Sequence, residues 1–323
     1  MAKPVTVFTL GGTISAARGG AGRLTGAQVL ADLTVAADVD VRLRDFRRLP
    51  SSALTVDDLA ELAELIDAAG VLGSGAVVVQ GTDTIEESAF LLDLLCTHRE
   101  PLVVTGAMRR PDSPGADGAA NLASAIAVAG DPRFRDAGAV VVMADEIHAA
   151  RYVRKAHTTS IATFASPGAG PLGTVVEGRP RVLLQPPAPT VPSPLRINRA
   201  VRVALVTLSL GDQGELIDAV DDRFDGLVVA AFGAGHVPGW LVPSLEDLAT
   251  RMPVVLASRA GAGSILSTTY RGPGSEFDLL RRGLISAGVL DAPKARLLLH
   301  ALLADGADRA LIALTFADLT GER

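Results

Sequence analysis

The sequence predicts an α/β protein: a larger N-terminal domain with a mostly parallel sheet flanked by helices, and a smaller C-terminal α/β domain. Three observations predict it. Val-rich runs such as GAVVV and AGAVVVMA are apolar throughout, the pattern of strands covered on both faces. Each run ends in a turn carrying Gly, Thr or Asp. Stretches of helical periodicity lie between the runs, and this alternation marks the α/β class.

In order, the first strand is PVTVFTL, followed by the turn GGTIS. TGAQVLADL then reads as a helix opened by Thr25 and Gln28. In TVDDLAELAELIDAAG, residues Leu59, Leu62, Ala63 and Ile66 share one helical face. Thr55 and Asp58 predict a capping box there, and Gly70 a stop. The second strand, GAVVV, leads into QGTDTIEE, where Thr84 and Glu87 predict a second capping box. PLVVTG and AGAVVVMA are the third and fourth strands, the latter followed by DEIHAARYVRK.

The Pro-rich segment 181–200 suits neither a helix nor a central strand, and predicts a linker between domains 1–180 and 201–323. Beyond it the pattern resumes with strands VRVALVTLS, GLVVAAFG and PVVLASR. Helices are expected at QGELIDAVDDR, LVPSLEDLATR, FDLLRRGLISAG and PKARLLLHALLADG.

Composition excludes several classes. Net charge is −6 with no Lys/Arg-rich block, which argues against non-specific nucleic-acid binding. Cys96 is the sole cysteine, so a disulfide within the chain is excluded and a cysteine-rich metal site is not expected. The five histidines lack metal-site spacing, and neither a metal nor an organic cofactor is expected. MAKPVTVFTLGGT lacks the layout of a signal peptide, and no uncharged apolar run is long enough for a membrane span, so a cytoplasmic protein is expected.

In open parallel sheets, ligands sit beyond the carboxyl ends of the strands. The turns found there are Gly11-Gly12-Thr13 and Thr82-Asp83, and Lys155 follows the fourth strand. Two glycines permit close backbone approach and leave Thr13 at the sheet edge. A threonine hydroxyl is a poor nucleophile until a partner takes or polarises its proton. Asp83 can fix the charge of Lys155, which can then polarise Thr82 or a water. Each residue also has a structural reading: Thr13 as a helix cap, Asp83 as a helix N-terminal anion, Lys155 as a solvated cation.

The motifs TLGGTIS, QGTDTIEESA, VVTGAMR, ADGAANL, HAARYVRK, SPGAGPLG and KARLLLHALL, in this order, resemble the bacterial-type L-asparaginase family, which includes asparaginase-glutaminases. The resemblance implies an amidohydrolase that converts L-asparagine to L-aspartate and ammonia. It implies Thr13 as nucleophile and Thr82, Asp83 and Lys155 as an activating triad, with Asp83 also binding the substrate's α-amino group. For substrate binding it implies Ser51, Ser52, Gly81 and Ala107, with Glu276 and His236 at a site completed by a neighbouring subunit of a homotetramer. Alternatives are a broad glutaminase-asparaginase or a non-catalytic amino-acid-binding protein on the same fold. The chain departs from the family in three places. Gln80 stands where histidine is usual, LGGT replaces TGGT, and segment 15–26 carries no tyrosine, Arg23 being nearest to its place.

Overall fold

The computed structural model describes residues 2–12, 38–186, 190–191 and 193–320. The expected helix at TGAQVLADL lies outside them. The chain forms two units, Met1–Pro194 and Leu195–Arg323.

The strands of the first unit are β1 (Lys3–Thr9), β2 (Val39–Asp45), β3 (Gly75–Val79), β4 (Leu102–Thr105), β5 (Ala139–Met143), β6 (Glu146–Ala149), β7 (Arg154–Lys155), β8 (Phe164–Ala165), β9 (Gly173–Val176) and β10 (Arg179–Val182). Eight of them make one sheet in the order β10-β9-β6-β5-β4-β3-β1-β2, and β7 pairs with β8 apart from it. From β5 to β2 every pairing is parallel, whereas β6, β9 and β10 pair antiparallel. The strand order reverses at β1 and β3, the switch point where doubly wound sheets open a crevice. Register puts the carboxyl ends level there, since Thr9 lies opposite Val79 and Val79 opposite Thr105.

Among the described residues, three helices cover the sheet: α1 (Val56–Val71), α2 (Ile85–Leu95) and α3 (Gly118–Ala129). Leu122, Ala125 and Ile126 of α3 pack on one face with Val5, Val7, Val77, Val103 and Val140. Helices α1 and α2 pack on each other and on the sheet with a separate set that includes Leu62, Ile66, Phe90 and Leu94. Both faces are thus buried, which is why the strands read as unbroken Val runs. Each such side chain taken fully out of water contributes about 1.5–3 kcal/mol.

The second unit has a parallel sheet in the order β11 (Val203–Thr207), β12 (Gly226–Ala231), β13 (Val254–Ser258) and β14 (Ile285–Ser286). Its helices are α4 (Glu215–Asp218), α5 (Val242–Arg251), α6 (Glu276–Arg281), α7 (Ala292–Ala304) and α8 (Arg309–Thr320).

Four local expectations are corrected, and one segment left without an element gains strands. The Thr55–Asp58 capping box forms, but α1 runs through Gly70 to Val71, and the left-handed residue is Gly73 at φ +73°. Thr84 stands at the N-cap of α2 without a side-chain capping bond, because its hydroxyl is engaged elsewhere. DEIHAARYVRK forms strands: Ala144 and Asp145 both take positive φ, the backbone of a tight hairpin, and turn the chain from β5 into β6. QGELIDAVDDR yields only one helical turn, opened by left-handed Gly214. FDLLRRGLISAG divides into α6 and β14 at Gly283, φ +93°.

Candidate functional site

The turn after β1 lies against the turn after β3. Leu10 N–H donates to the carbonyl of Val79 at 2.8 Å, and Gln80 N–H to that of Thr105 at 3.1 Å. Gly12 has φ +92°, and a Cβ there would sit 2.2 Å from the nitrogen of Gly81. Only glycine fits so close an approach with that backbone. Thr13 and Arg23 lie outside the described residues.

Thr82 and Asp83 occupy a single 3-10 turn, Thr82–Thr84, leading into α2. Lys155 reaches them from β7, with its Nζ 3.0 Å from Thr82 Oγ1 and 2.9 Å from Asp83 Oδ1. Its own backbone N–H donates to Glu86 Oε2 at 2.6 Å, which fixes the strand that carries it. Thr82 is buried, the Lys155 side chain is 16% exposed and that of Asp83 67%. With one partner so exposed, solvent screens the ion pair and it adds little stability. Its consequence is geometric: one cation bridges a buried hydroxyl and a carboxylate open to solvent. Such a cation stabilises negative charge developing on the hydroxyl oxygen.

Ser51 is buried beside this turn. Its Oγ accepts from Asp83 N–H at 3.3 Å, and its carbonyl accepts from Thr84 Oγ1 at 3.1 Å. A Cβ on Gly81 would meet Ser51 Oγ at 2.7 Å, so Gly81 admits the serine. Gln80 is fully buried and its Nε2 donates to Thr84 Oγ1 at 3.2 Å and to the Gly81 carbonyl at 3.3 Å. Ser52 is exposed, while Ala107 is buried in the turn after β4.

That third turn is held by two residues to which the sequence reading gave no role. Asp117 accepts from the N–H groups of Met108 at 2.9 Å and Arg109 at 2.8 Å. Asn121 Nδ2 donates to the Gly106 carbonyl at 3.0 Å, and its Oδ1 accepts from Ala144 N–H at 3.0 Å. They sit four residues apart in ADGAANL, and that i,i+4 polar pair in an otherwise apolar helix was the available signal.

His236 and Glu276 come together in the second unit. Glu276 is fully buried at the start of α6. Its Oε1 accepts from Tyr270 N–H at 2.8 Å. Its Oε2 has no hydrogen-bond partner among the described residues, and His236 Nε2 lies 3.6 Å from it. The His236 ring meets that of Tyr270 edge-on, centroids 4.7 Å apart. A buried carboxylate oxygen without a donor is costly, so this arrangement suits a ligand that supplies one.

The family Asparaginase, N-terminal matches residues 4–188, and Glutaminase/Asparaginase C-terminal domain matches residues 202–316. The chain belongs to the asparaginase family. An L-asparaginase of Bacillus licheniformis is 34% identical over 316 residues, which cover 94% of this asparaginase chain and 96% of the relative. A "Probable L-asparaginase" of Deinococcus radiodurans is 40% identical over 266 residues, 81% of this chain and 80% of that one. The crystal structure of a "Probable Cytoplasmic L-asparaginase" of Campylobacter jejuni superposes with a TM-score of 0.88 at 27% identity, covering 98% and 99% of the two chains. Among the described residues, no helix of this asparaginase is long and apolar enough to cross a membrane.

Proposed function

We propose that the protein is a cytoplasmic L-asparaginase, hydrolysing L-asparagine to L-aspartate and ammonia. The observation that carries the reading is the bridge from Lys155 to Thr82 and Asp83 at the carboxyl ends of a parallel sheet, in a chain of this family. Thr13 Oγ attacks the side-chain amide carbon and the C–N bond breaks. The hydroxyl proton passes to the leaving nitrogen, which departs as ammonia, and water then cleaves the threonine ester to release aspartate and restore the Thr13 hydroxyl. Thr82, Asp83 and Lys155 form the activating set, in which Lys155 stabilises negative charge on Thr82 Oγ1 or on the attacking water. Asp83, open to solvent, binds the α-amino group. Ser51, Ser52, Gly81 and Ala107 line the rest of the substrate site, and N–H groups of the glycine-bearing turns hold the oxyanion.

Glu276 and His236 act on the substrate bound by a neighbouring subunit of a homotetramer. The unpartnered Oε2 of Glu276 supports this role, because a substrate ammonium supplies the missing donor. We assign domain roles to match: 1–180 carries the threonines, 181–200 links, and 201–323 supplies Glu276.

The test is the ratio of kcat/KM for L-asparagine to that for L-glutamine. The two substrates differ by one methylene, which a pocket discriminates by about 1–3 kcal/mol. Asparagine is expected to be preferred by roughly 10-fold or more. Equal ratios would make the protein a broad glutaminase-asparaginase, and turnover of neither would leave amino-acid binding without catalysis.

A further inference from the structure

We propose that Asp67, Cys96 and His98 form a binding site for a thiophilic divalent cation of the zinc class, remote from the candidate catalytic turns. The three residues converge from α1, from the end of α2 and from the segment that enters β4. They lie where the chain enters β3 and β4, whereas Thr82 lies where it leaves β3. One ligand atom from each falls within 4.8 Å of the other two. Tetrahedral zinc with sulfur and nitrogen ligands needs ligand separations of roughly 3.4–3.8 Å, which side-chain rotation supplies.

The independent observation is the His98 ring. Its side chain is 4% exposed, and neither ring nitrogen makes a hydrogen bond among the described residues. Nδ1 lies 3.3 Å from Asp67 Oδ1, an ion-pair distance without the alignment of a hydrogen bond. A neutral imidazole always has one donor and one acceptor, and burying both unpaired is costly. A cation takes up the acceptor lone pair.

The surroundings hold the set in place. Asp67 accepts from Thr97 N–H at 2.8 Å, Thr97 Oγ1 at 2.7 Å and His98 N–H at 3.1 Å, which fixes the backbone between the other two ligands. Cys96 N–H donates to the Leu92 carbonyl, closing α2. Gly70, one residue before the end of α1, leaves room for the imidazole: a Cβ there would stand 2.5 Å from that of His98. The donors select the ion class. Thiolate sulfur and imidazole nitrogen exclude calcium and magnesium, which take oxygen ligands, and favour zinc. Three protein ligands leave the fourth position to water. The thiol proton passes to solvent as the metal–sulfur bond forms. The bound ion would staple α1 to the α2–β4 connection, so its effect falls on stability and not on turnover.

The experiment is a titration of the full chain with Co2+ alone, followed by Zn2+. Cys96 is the only cysteine, so thiolate-to-cobalt charge-transfer absorption can come from no other residue. The band is expected to appear on Co2+ addition, to bleach when Zn2+ displaces it, and to vanish in Cys96→Ser. In His98→Gln and Asp67→Asn, Co2+ binding should weaken about 10-fold or more. Thermal unfolding of the wild-type chain, which needs no variant, should shift upward with Zn2+ concentration. No band, a band of unchanged affinity in both His98→Gln and Asp67→Asn, or an unfolding temperature indifferent to Zn2+ would each overturn the proposal.

Discussion

Lys155 carries most of the catalytic argument at the scale of single residues. Replacing it with Met keeps the aliphatic stem and removes the charge that reaches Thr82 and Asp83. We expect kcat for asparagine to fall by about 10²-fold or more, the usual cost of losing an electrostatic stabiliser, with unfolding temperature nearly unchanged because the ion pair is screened. A kcat within a few-fold of wild type would remove Lys155 from the mechanism. Gly12→Ala tests the neighbouring turn. The added methyl collides with the backbone of Gly81, so both activity and stability should drop, and an unaffected variant would contradict the close approach of the two turns. The juxtaposition of Thr82, Asp83 and Lys155 was legible in the sequence because each follows an apolar strand, where chain turns converge beyond the sheet. Asp117, Asn121 and Glu86 were harder to read, since their partners are backbone groups of distant turns. Thr84 was misread for a related reason: N-cap chemistry is local, but here its hydroxyl donates to the Ser51 carbonyl, 33 positions away in sequence.

Short-range chemistry decides which elements could be read. The capping box of α1 needs only Thr55 and Asp58, and it forms as written. Thr55→Ala should cost about 1 kcal/mol of stability, measured by denaturant unfolding. Asp117→Ala reaches further, because it strips the N–H groups of Met108 and Arg109 of their acceptor. Each donor left unpaired costs about 1–3 kcal/mol if buried, and the turn that carries Ala107 should loosen, raising KM. Unchanged stability and KM would show that this turn needs no anchor. The β5–β6 hairpin escaped the sequence reading because Ala144 and Asp145 lack the Asn-Gly signature of a tight turn, yet both adopt positive φ. Helix α4 was overestimated: the sequence predicts a helix through QGELIDAVDDR, whereas only Glu215–Asp218 is helical, opened by left-handed Gly214. The buried parallel strands β1, β3, β4 and β5 were read well, since burial on both faces leaves an unbroken apolar record, whereas β2, exposed or half-exposed along its length, was not.

Acid should weaken the whole molecule in two stages. His148 is buried on β6, with Nδ1 3.0 Å from Ser166 Oγ and Nε2 3.2 Å from Glu146 Oε2. Burial depresses its pKa below the ordinary value, and the attraction of Glu146 only partly opposes this. The folded state therefore favours neutral His148, so its contribution is present above pH ~6.5 and is lost as pH falls below that. Asp58, Asp131 and Asp278 follow at lower pH. Burial pushes each carboxyl up, but hydrogen bonds and nearby cations outweigh it and hold the pKa below normal. Their contributions persist above pH ~4 and vanish as pH falls through the depressed values. Asp93 opposes them. Burial raises its pKa despite donors from Thr190 and Ala139, so acidification relieves its charge. Unfolding temperature should decline from pH ~7 to ~5 in the wild type and decline less in His148→Gln; identical slopes would clear His148.

Assembly is tested by co-expressing Thr13→Ala with Glu276→Ala, each inactive or weak alone. If Glu276 acts on a neighbour's substrate, mixed pairs regain one complete site, roughly a quarter of wild-type sites for random pairing. No recovery in demonstrated mixed oligomers would contradict a shared site.

The central claim is asparagine hydrolysis through a threonine, and the most direct measurement is ammonia release from L-asparagine by the wild type and Thr13→Ala at matched fold and concentration. The account predicts steady release by the wild type and loss of nearly all of it in the variant. Release that survives in Thr13→Ala, or a folded wild type that releases none, would contradict it.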